Sequence, residues 1–398
     1  MVESLSERKT RVIIATLLCL SPIVGMAVDL IAPSLPGIAA DLRVSDAAAK
    51  GAIAIYLLGY ALGNFVTGFL TDALGRQKLL RIGLFLFIIF SLLPVVFPDI
   101  SVLLLTRLLQ GITLGGVAVI VRSIYSDILP PEKLIRLGTL MAAMWGIGPV
   151  IGPVLGGYLQ FYFGWKAAFV FFSSITLLAL IPVWMIIPET HFNRHPLNFK
   201  VMKENLTTVF SHREFMTLVL LMGLSYSLII GFHTAGPFLI QTQLHYSPVF
   251  YGHFALFLGI IFLISTLTCR FFLKYFNIEQ IFQLIIPLFS LIALISVIIS
   301  YFLKNSVGLI AVASALMFFA SAFIFPLSMG KGLSLFRPIS GTAGATMFLI
   351  NILITSLTSF IIGFIHIQTV NSLLWLYFAL MVMILLIYFL LFKRTEQF

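Results

Sequence analysis

Twelve apolar runs, most of them about twenty residues long, are spaced along this chain of 398 residues. A helix needs about 20 apolar residues to cross the hydrocarbon core of a bilayer, because it rises only ~1.5 Å per residue. Each run is therefore predicted to be a transmembrane helix, and the fold class to be all-α integral membrane. The runs cover about 12–35, 50–71, 79–97, 101–123, 134–160, 166–188, 215–240, 248–272, 279–302, 306–330, 339–366 and 371–392.

The composition supports membrane embedding and excludes an ordinary soluble domain. Hydrophobic residues make up 60% of the chain and charged residues 10%, whereas soluble domains contain about 25% charged residues. The first apolar run has no small-residue cleavage site, so we interpret it as a retained helix rather than a signal peptide. Cys19 and Cys269 fall in or at the ends of apolar runs, which predicts neither a disulfide framework nor a metal site.

A polar segment divides the apolar runs into two sets of six. We predict an N-terminal six-helix bundle at residues 1–190, a cytoplasmic linker at 191–214 and a C-terminal six-helix bundle at 215–398. Of the 24 Lys and Arg residues, nineteen fall on one side if both termini are cytoplasmic, and four fall on the other. Cytoplasmic loops carry the positive excess in membrane proteins, so both termini are predicted to be cytoplasmic. The same rule explains the net charge of +10, and we expect no nucleic acid partner.

Asp29 is the one acidic residue, of fourteen, that lies inside an apolar run. A carboxylate in hydrocarbon costs roughly 2.5–3.5 kcal/mol on insertion scales, so an acid at this position is a candidate functional residue. Three apolar residues follow it before Pro33 and Pro36, which are expected to kink or end the helix. The alternative is that Asp29 simply reaches the outer interface.

The fourth run contains a second charged candidate, Arg107, with Gln110 on the same helical face three residues later. This run is predicted to cross inward, so Arg107 lies in the outer half of the membrane at a depth similar to that of Asp29. An arginine at that depth needs a partner, and Asp29 is the carboxylate available. We predict that the two side chains approach each other directly or through water. The alternative is that Arg107 reaches outward to the interface.

The end of the second run carries a turn motif. Gly68, Leu70, Asp72, Gly75 and Arg76 fit the pattern G-x-L-x-D-x-x-G-R/K, which resembles the loop between helices two and three in the Major Facilitator Superfamily. A turn of this kind places its aspartate near helix ends and basic residues, which holds the cytoplasmic side closed. The resemblance therefore implies a gating role for Gly68, Asp72, Gly75 and Arg76.

This chain departs from the family pattern at Ala73, where the family usually has a basic residue. The predicted charge network is thinner as a result. At the inner end of the fourth run, Arg122 and Asp127 are predicted to join Asp72 and Arg76 in an ion network on the cytoplasmic side.

Glycine recurs every fourth residue in the fifth run, at Gly148, Gly152 and Gly156. Glycines at this spacing give a flat helix face on which another helix packs closely. The segment from Gly152 through Pro153 to Gly157 resembles the antiporter motif G-P-x-x-G-G of the same superfamily, and the resemblance links it to export. Close packing without any bearing on transport direction is the alternative.

Two further features resemble the drug:proton antiporter branch of the superfamily. The R-x-x-Q-G pattern at 107–111 resembles the family's fourth-helix motif, and the small-residue run at 337–351 resembles the eleventh helix of Bcr/CflA-type drug exporters. The resemblance implies a major facilitator fold of twelve transmembrane helices in two pseudo-symmetric bundles. It also implies proton-coupled export of amphipathic, drug-like compounds across the bacterial inner membrane. Because Asp29 is the one acid inside an apolar run, we predict Asp29 and Arg107 as the proton-coupling residues.

The second half has no acid inside any apolar run, and we predict a largely apolar substrate cavity. The residues predicted to line it are Asp29, Tyr56, Arg107, Gln110, Tyr226, His233 and Asn351. A lone histidine in a helix, such as His233, is also commonly just hydrogen-bonded within the protein. We expect no cofactor apart from the proton as coupling ion, no metal, and a functional monomer in the lipid bilayer that binds a small molecule.

Three other functions remain open. The same scaffold can serve the export or uptake of one physiological metabolite, such as a siderophore or a nutrient, because fold does not fix substrate. A receptor or sensor that does not transport would be expected to carry an added soluble domain. An integral membrane enzyme would need a catalytic arrangement, and the sequence shows no Ser/His/Asp, metal-ligand or paired-carboxylate pattern. We therefore do not expect an enzyme.

Overall fold

The computed structural model describes residues 6–190, 199–303, 306–336, 339–365, 367 and 369–392. These residues form helices joined by turns, with no β-strand among them, which confirms the all-α fold class. The α-helices are α1 Glu7–Leu18, α2 Leu20–Gly25, α3 Leu35–Asp41, α4 Asp46–Leu74, α5 Arg76–Val96, α6 Ile100–Ile128, α7 Pro131–Phe163, α8 Lys166–Ile186, α9 Phe199–Ser211, α10 Arg213–Pro237, α11 Pro248–Phe272, α12 Ile278–Phe302, α13 Val307–Ser334, α14 Ser340–Phe364 and α15 Val370–Ile387. A 3₁₀-helix covers Ala32–Ser34, and π-helices cover Phe238–Gln243 and Tyr388–Phe392.

Ten helical segments in the described part of the chain are long and apolar enough to cross a membrane. They match ten of the twelve predicted runs. The fifth predicted run corresponds to α7, a helix of 33 residues that contains Pro149 and Pro153. The first corresponds to a broken helix that begins with α1 and α2.

The first predicted span is therefore not one continuous helix over 12–35. α2 ends at Gly25, and residues 26–31 form turns before the 3₁₀-helix begins. Pro33 has no N–H to donate to the carbonyl of Asp29, four residues back, and its ring would clash with helical backbone there. This accounts for the irregular backbone from Asp29 onward, whereas the end of α2 at Gly25 lies beyond the reach of Pro33. Asp29 consequently lies in the non-helical part of the span.

Polar side chains fix where several helices begin. Asp99 accepts hydrogen bonds from the backbone N–H groups of Ser101 and Val102 at the start of α6, and these bonds lower the pKa of the Asp99 carboxyl. Asn277 and Gln280 exchange side-chain and backbone hydrogen bonds at the start of α12, which forms a capping box. Such caps satisfy backbone donors for which the first turn of a helix has no internal partner.

Contacts divide the chain into two compact units, Met1–Val44 with Ile55–Asn198 and Ser45–Ala54 with Phe199–Phe398. The first ten residues of this second unit belong to the N-terminal bundle as predicted from sequence, and the predicted bundle boundaries stay a prediction. Residues 191–198 of the predicted linker lie outside the described residues. The rest of that linker is mostly the helix α9.

Within the first unit, α4 and α6 pack backbone against backbone through glycines. A Cβ atom on Gly111 would lie 2.7 Å from the backbone nitrogen of Tyr60, and one on Gly115 would lie 2.9 Å from that of Asn64. No side chain fits at either position without moving backbone. Close approach of this kind is the usual role of small residues between membrane helices, and it brings the polar face of α6 against α4.

Within the second unit, α10 is buried along nearly its whole length. Hydroxyl groups join it to α14: Thr358 donates to Ser227 at 3.0 Å, and the hydroxyl oxygens of Thr234 and Ser359 lie 2.9 Å apart. Hydrogen bonds between helices replace part of the hydrophobic driving force that lipid surroundings do not provide. α10 is therefore the helix around which the second unit packs.

Candidate functional site

Asp29 is buried, with 5% of its surface exposed, in the turn segment that follows α2. It lies against the glycine face of α7: a Cβ atom on Gly152 would be 3.1 Å from the Cβ of Asp29 and 3.2 Å from the backbone nitrogen of Leu30. The carboxylate is therefore carried on irregular backbone that α7 covers closely. Irregular backbone at membrane depth occurs where protein buries it or where it lines a cavity.

Gly148 and Gly156, the other two regularly spaced glycines of α7, lie against the same turn segment as Gly152. A Cβ atom on Gly148 would lie 2.5 Å from the backbone nitrogen of Met26, and one on Gly156 would collide with the carbonyl group of Leu30. Pro153 and Gly157 are also buried in α7. The predicted antiporter helix thus packs directly on the broken segment that holds Asp29. Its link to transport direction stays a prediction.

Arg107 is fully buried in α6. Its Nη1 donates to Oε1 of Gln110 at 2.8 Å, and its Nη2 donates to the carbonyl of Ala27 at 3.2 Å. The guanidinium carbon lies 4.1 Å from the centre of the Tyr56 ring, within the range of a cation–π interaction. The alternative of an arginine that reaches outward to the interface is therefore wrong.

The contact with Ala27 connects Arg107 to the Asp29 segment, because Ala27 is two residues before Asp29 and belongs to the same turn. Arg107 thus holds the backbone that carries the carboxylate. The predicted approach of the two charged side chains stays a prediction.

Gln110 fixes the orientation of Arg107 by using both ends of its amide. Its Oε1 accepts from Arg107, while its Nε2 donates to the carbonyl of Phe90 at 3.1 Å and to the hydroxyl of Ser91 at 3.3 Å. The R-x-x-Q spacing therefore joins the arginine of α6 to the backbone of α5. If the oxygen and nitrogen of the Gln110 amide exchanged places, these bonds would be lost. The network therefore allows one orientation of Gln110 relative to Arg107.

The predicted gating residues form an ion pair where α5 begins and α6 ends. Nε of Arg76 lies 3.0 Å from Oδ2 of Asp127, and the hydroxyl of Thr190 donates to the same oxygen at 2.7 Å. Arg122 donates instead to Oδ1 of Asn64 at 3.5 Å. The side chain of Asp72 lies outside the described part of the structure, and Gly68 is half-buried in α4.

Glu189 is a member of this network that the sequence reading did not assign. Its carboxylate accepts from the backbone nitrogen of Arg76 at 2.9 Å and from that of Gln77 at 3.3 Å, at the start of α5. Gly75 precedes that helix with a φ of +93°, and a Cβ atom there would lie 2.5 Å from Oε2 of Glu189. Gly75 is therefore required for two reasons. Its φ is one that other residues rarely adopt, and a side chain there would collide with the Glu189 carboxylate. The signal in the sequence was an acid directly after the sixth span, on the side where the third span begins.

Replacing Glu189 with glutamine should lower the free energy of unfolding by about 0.3–1 kcal/mol, because a negative charge at a helix N-terminus interacts favourably with the helix dipole. Thermal unfolding in detergent measures the change. Glu204→Gln is the matched control, since Glu204 is exposed and lies within α9 rather than in its first turn. Equal melting temperatures for E189Q and E204Q would show that Glu189 does not stabilise the start of α5.

The predicted cavity residues of the second half all lie in the second unit. His233 is buried, with Nδ1 3.3 Å from the Tyr251 hydroxyl and its ring beside Phe318. Tyr226 packs its ring 5.4 Å from that of Phe325. Oδ1 of Asn351 is buried and has no hydrogen-bond partner in the described part of the chain. His233 thus fits the alternative of an internally hydrogen-bonded histidine, and the role of Asn351 in a substrate cavity stays a prediction.

Lys50 is a buried cation at the start of the second predicted run. Only 3% of its surface is exposed, and its ammonium lies 5.0 Å from the centre of the Phe238 ring. No hydrogen bond or ion pair is present for it among the described residues. Burial of the Lys50 side chain without a direct acceptor for its ammonium costs free energy, and the nearby charge of Asp46 offsets part of that cost.

Lys50→Met should therefore raise the free energy of unfolding, by about 1 kcal/mol or more, because methionine keeps the packing on Phe238 and removes the charge. Thermal unfolding in detergent tests this, with the less buried Lys166→Met as control. If K50M lost more stability than K166M, the Lys50 ammonium would have to interact with an acceptor, which would contradict this explanation.

A second ion cluster lies in the second unit. Lys331 in α13 pairs with Glu214 in α10 at 3.2 Å and with Glu279 in α12. The sequence pattern alone does not connect Lys331 to these two acids, which lie in other helices. The cluster joins three helix ends that are predicted to lie on the cytoplasmic side.

An all-α, multi-pass membrane protein with a buried carboxylate on a broken helix, a glycine-faced helix against it and an ion pair at the helix ends has the features of a membrane transporter. The chain matches the Major Facilitator Superfamily over residues 17–363 and belongs to that family. The predicted major facilitator fold is thereby confirmed, and its homologues are transporters rather than enzymes.

Relatives in the family include resistance proteins. The chain is 27% identical over 232 residues to the bicyclomycin resistance protein homolog of Haemophilus influenzae, covering 58% of each chain. It is 30% identical over 235 residues to the chloramphenicol resistance protein CraA of Acinetobacter baumannii, covering 58% of this chain and 57% of that one. The chain thus spans just over half the length of these two curated relatives.

Two other relatives are similar over most of the chain. Multidrug resistance protein MdtL of Shewanella oneidensis is 23% identical over 352 residues, covering 87% of each chain. The crystal structure of a bacterial homologue of the human lysosomal transporter Spinster superposes with a TM-score of 0.76, covers 97% of each chain and is 15% identical. At that identity the likeness concerns the fold alone.

Proposed function

We propose that this protein exports amphipathic, drug-like compounds from the cytoplasm in exchange for protons. The observation that carries the proposal is the Asp29 segment. Its buried carboxylate lies on a broken helix that packs against the α7 glycines and accepts a hydrogen bond from Arg107 at the Ala27 carbonyl. The names of the resistance-protein relatives support the class of substrate.

Asp29 is the proposed proton carrier. A carboxylate that gains and loses a proton changes the local charge beside a fixed, buried guanidinium, and the turn at 26–31 is the part of the span free of regular helix. Protonation of Asp29 therefore changes the electrostatic interactions of a segment that can change conformation. Binding of substrate from the cytoplasm would release the proton from Asp29. Alternating access would then expose the site to the two sides of the membrane in turn and complete the cycle.

Arg107, Gln110 and Tyr56 are proposed to orient this segment. Arg107 holds the Ala27 carbonyl, Gln110 holds Arg107, and the Tyr56 ring covers the guanidinium. No cofactor takes part in this mechanism, and the proton is the coupling ion. We place the protein in the bacterial inner membrane, with both termini in the cytoplasm, as a functional monomer.

Transport assays in proteoliposomes with an imposed pH gradient test the proposal. The panel comprises amphipathic drugs, siderophores and small metabolites. Movement of several unrelated amphipathic compounds against the direction of proton flow is expected. Movement of a single compound class would instead identify a dedicated metabolite transporter, and movement in the same direction as protons would overturn antiport.

A further inference from the structure

A cavity of about 510 Å³ lies in the first unit, away from Asp29. Three helical regions form it: the start of α1, the start of α5 and the end of α8 with the residues that follow. Its charged lining residues are Arg8, Lys9 and Arg81, and no acid lines it among the residues that the structure describes. The cavity therefore has a net positive lining at the side predicted to face the cytoplasm.

Arg81 supplies a donor that the protein does not use. Its Nη2 donates to the carbonyl of Trp184 at 2.7 Å, and its guanidinium lies 4.7 Å from the centre of that ring. These two contacts hold the side chain in place. Its Nε is buried and has no hydrogen-bond partner within the described residues. A fixed guanidinium with a spare N–H is suited to bind a phosphate oxygen.

The position of the cavity matches the headgroup layer of a membrane. Trp184, near the end of the α8 span, is 59% exposed, and tryptophan is enriched where a membrane protein meets the interface. Next to the cavity, Met185 is 80% exposed, and Ile82 and Phe85 are exposed on α5. A basic recess thus borders an apolar surface of the kind that acyl chains cover.

We propose that this cavity binds the headgroup of an anionic phospholipid. The lipid phosphate accepts from Arg8, Lys9 and Arg81, while its acyl chains lie along the exposed apolar side chains of α5 and α8. A free phosphate ion would use the basic recess and leave the adjoining apolar surface without a role. The inference goes beyond the proposed transport function and does not depend on it.

Occupation of the cavity would act on the cytoplasmic ion network. Gln77 lines the cavity, its side chain donates to the carbonyl of Ile187 at 2.6 Å, and its backbone nitrogen donates to Glu189. A bound headgroup therefore contacts the same segment that caps α5 and leads to Thr190. The lipid is expected to stabilise the starts of α1 and α5 against the end of α8.

Native mass spectrometry of the delipidated full chain tests the proposal. The protein is titrated with phosphatidylglycerol or phosphatidylcholine of identical acyl chains. The variant R8Q/K9Q/R81Q is compared with K78Q/R270Q/K274Q, which removes three exposed charges on the same predicted side but outside the cavity. Phosphatidylglycerol should bind the wild-type protein and the control variant at least about fivefold more tightly than phosphatidylcholine, and the cavity variant should lose this preference.

Single substitutions and a soluble competitor sharpen the result. Arg81→Gln alone should weaken phosphatidylglycerol binding about fivefold, as expected for one basic residue at a membrane surface, which keeps the test valid if the triple variant does not fold. Glycerol phosphate and inorganic phosphate should fail to displace the lipid. Displacement by either would identify a free-anion site instead. Equal loss in the cavity and control variants, or equal binding of the two lipids to the wild-type protein, would overturn the proposal.

Discussion

Gly156→Ala is expected to destabilise the protein on the order of 3 kcal/mol and to abolish transport. The added methyl group would collide with the carbonyl oxygen of Leu30 and lie 2.9 Å from its carbonyl carbon. Backbone cannot move aside as a flexible side chain can, so α7 must separate from the turn that carries Asp29. Overpacking of this kind commonly costs about 1–3 kcal/mol, and more where the neighbour is rigid.

Gly146→Ala is the matched control for that experiment, because it makes the same substitution on the same helix at a position where a Cβ atom meets nothing within 4 Å. Alanine is favoured over glycine in a helix by roughly 0.5–1 kcal/mol, so the control should be neutral or slightly stabilised. Thermal unfolding in detergent and drug transport in proteoliposomes give the two measurements. If G156A melts and transports like G146A, α7 does not clamp the Asp29 segment.

Arg107→Lys is expected to lower transport about ten- to hundredfold even though it keeps the positive charge. An ammonium cannot hold Gln110 and the Ala27 carbonyl in the planar geometry of the guanidinium. Hydrogen bonds to charged groups contribute about 1.5–3 kcal/mol each. Losing one such bond therefore changes an equilibrium constant by about ten- to hundredfold. The turn that carries Asp29 would lose its anchor on α6.

Two comparisons separate this explanation from a simple loss of folding. Gln110→Leu removes the partner of Arg107 and leaves its charge, so it should show a defect similar to that of R107K. Arg43→Gln, an exposed substitution on the predicted outer side, should transport normally. Normal transport by both R107K and Q110L would show that orientation of Arg107 has no part in the mechanism.

Much of the architecture was predictable because lipid imposes a length and a composition on each helix. Ten of the predicted runs coincide with helices that can cross a membrane, and the family motifs identified the superfamily. The break at 26–31 begins earlier than Pro33 and Pro36 predict, since a proline reaches back only to the carbonyl four residues before it and α2 already ends at Gly25. The packing of α7 onto that turn adds a tertiary contact that spacing alone does not give.

The residues missed by sequence reasoning act across long distances in the chain. Glu189 caps a helix that starts 113 residues earlier, and Lys331 joins Glu214 and Glu279 from two other helices. Lys50 is the first residue of an apolar run, and the sequence pattern does not show that the folded chain buries it. A pattern of apolar and polar residues locates helix ends, but it does not show which ends meet.

The proton role of Asp29 is tested most directly by measuring proton movement during transport. Proteoliposomes carry a pH-sensitive dye, an exported drug is added, and Asp29→Asn is compared with Asp99→Asn, which removes an equal charge at a helix start where asparagine also caps well. Drug-driven proton flux is expected in the wild-type protein and in D99N, and none is expected in D29N. Normal pH dependence and concentrative transport by D29N would contradict the proton role of Asp29.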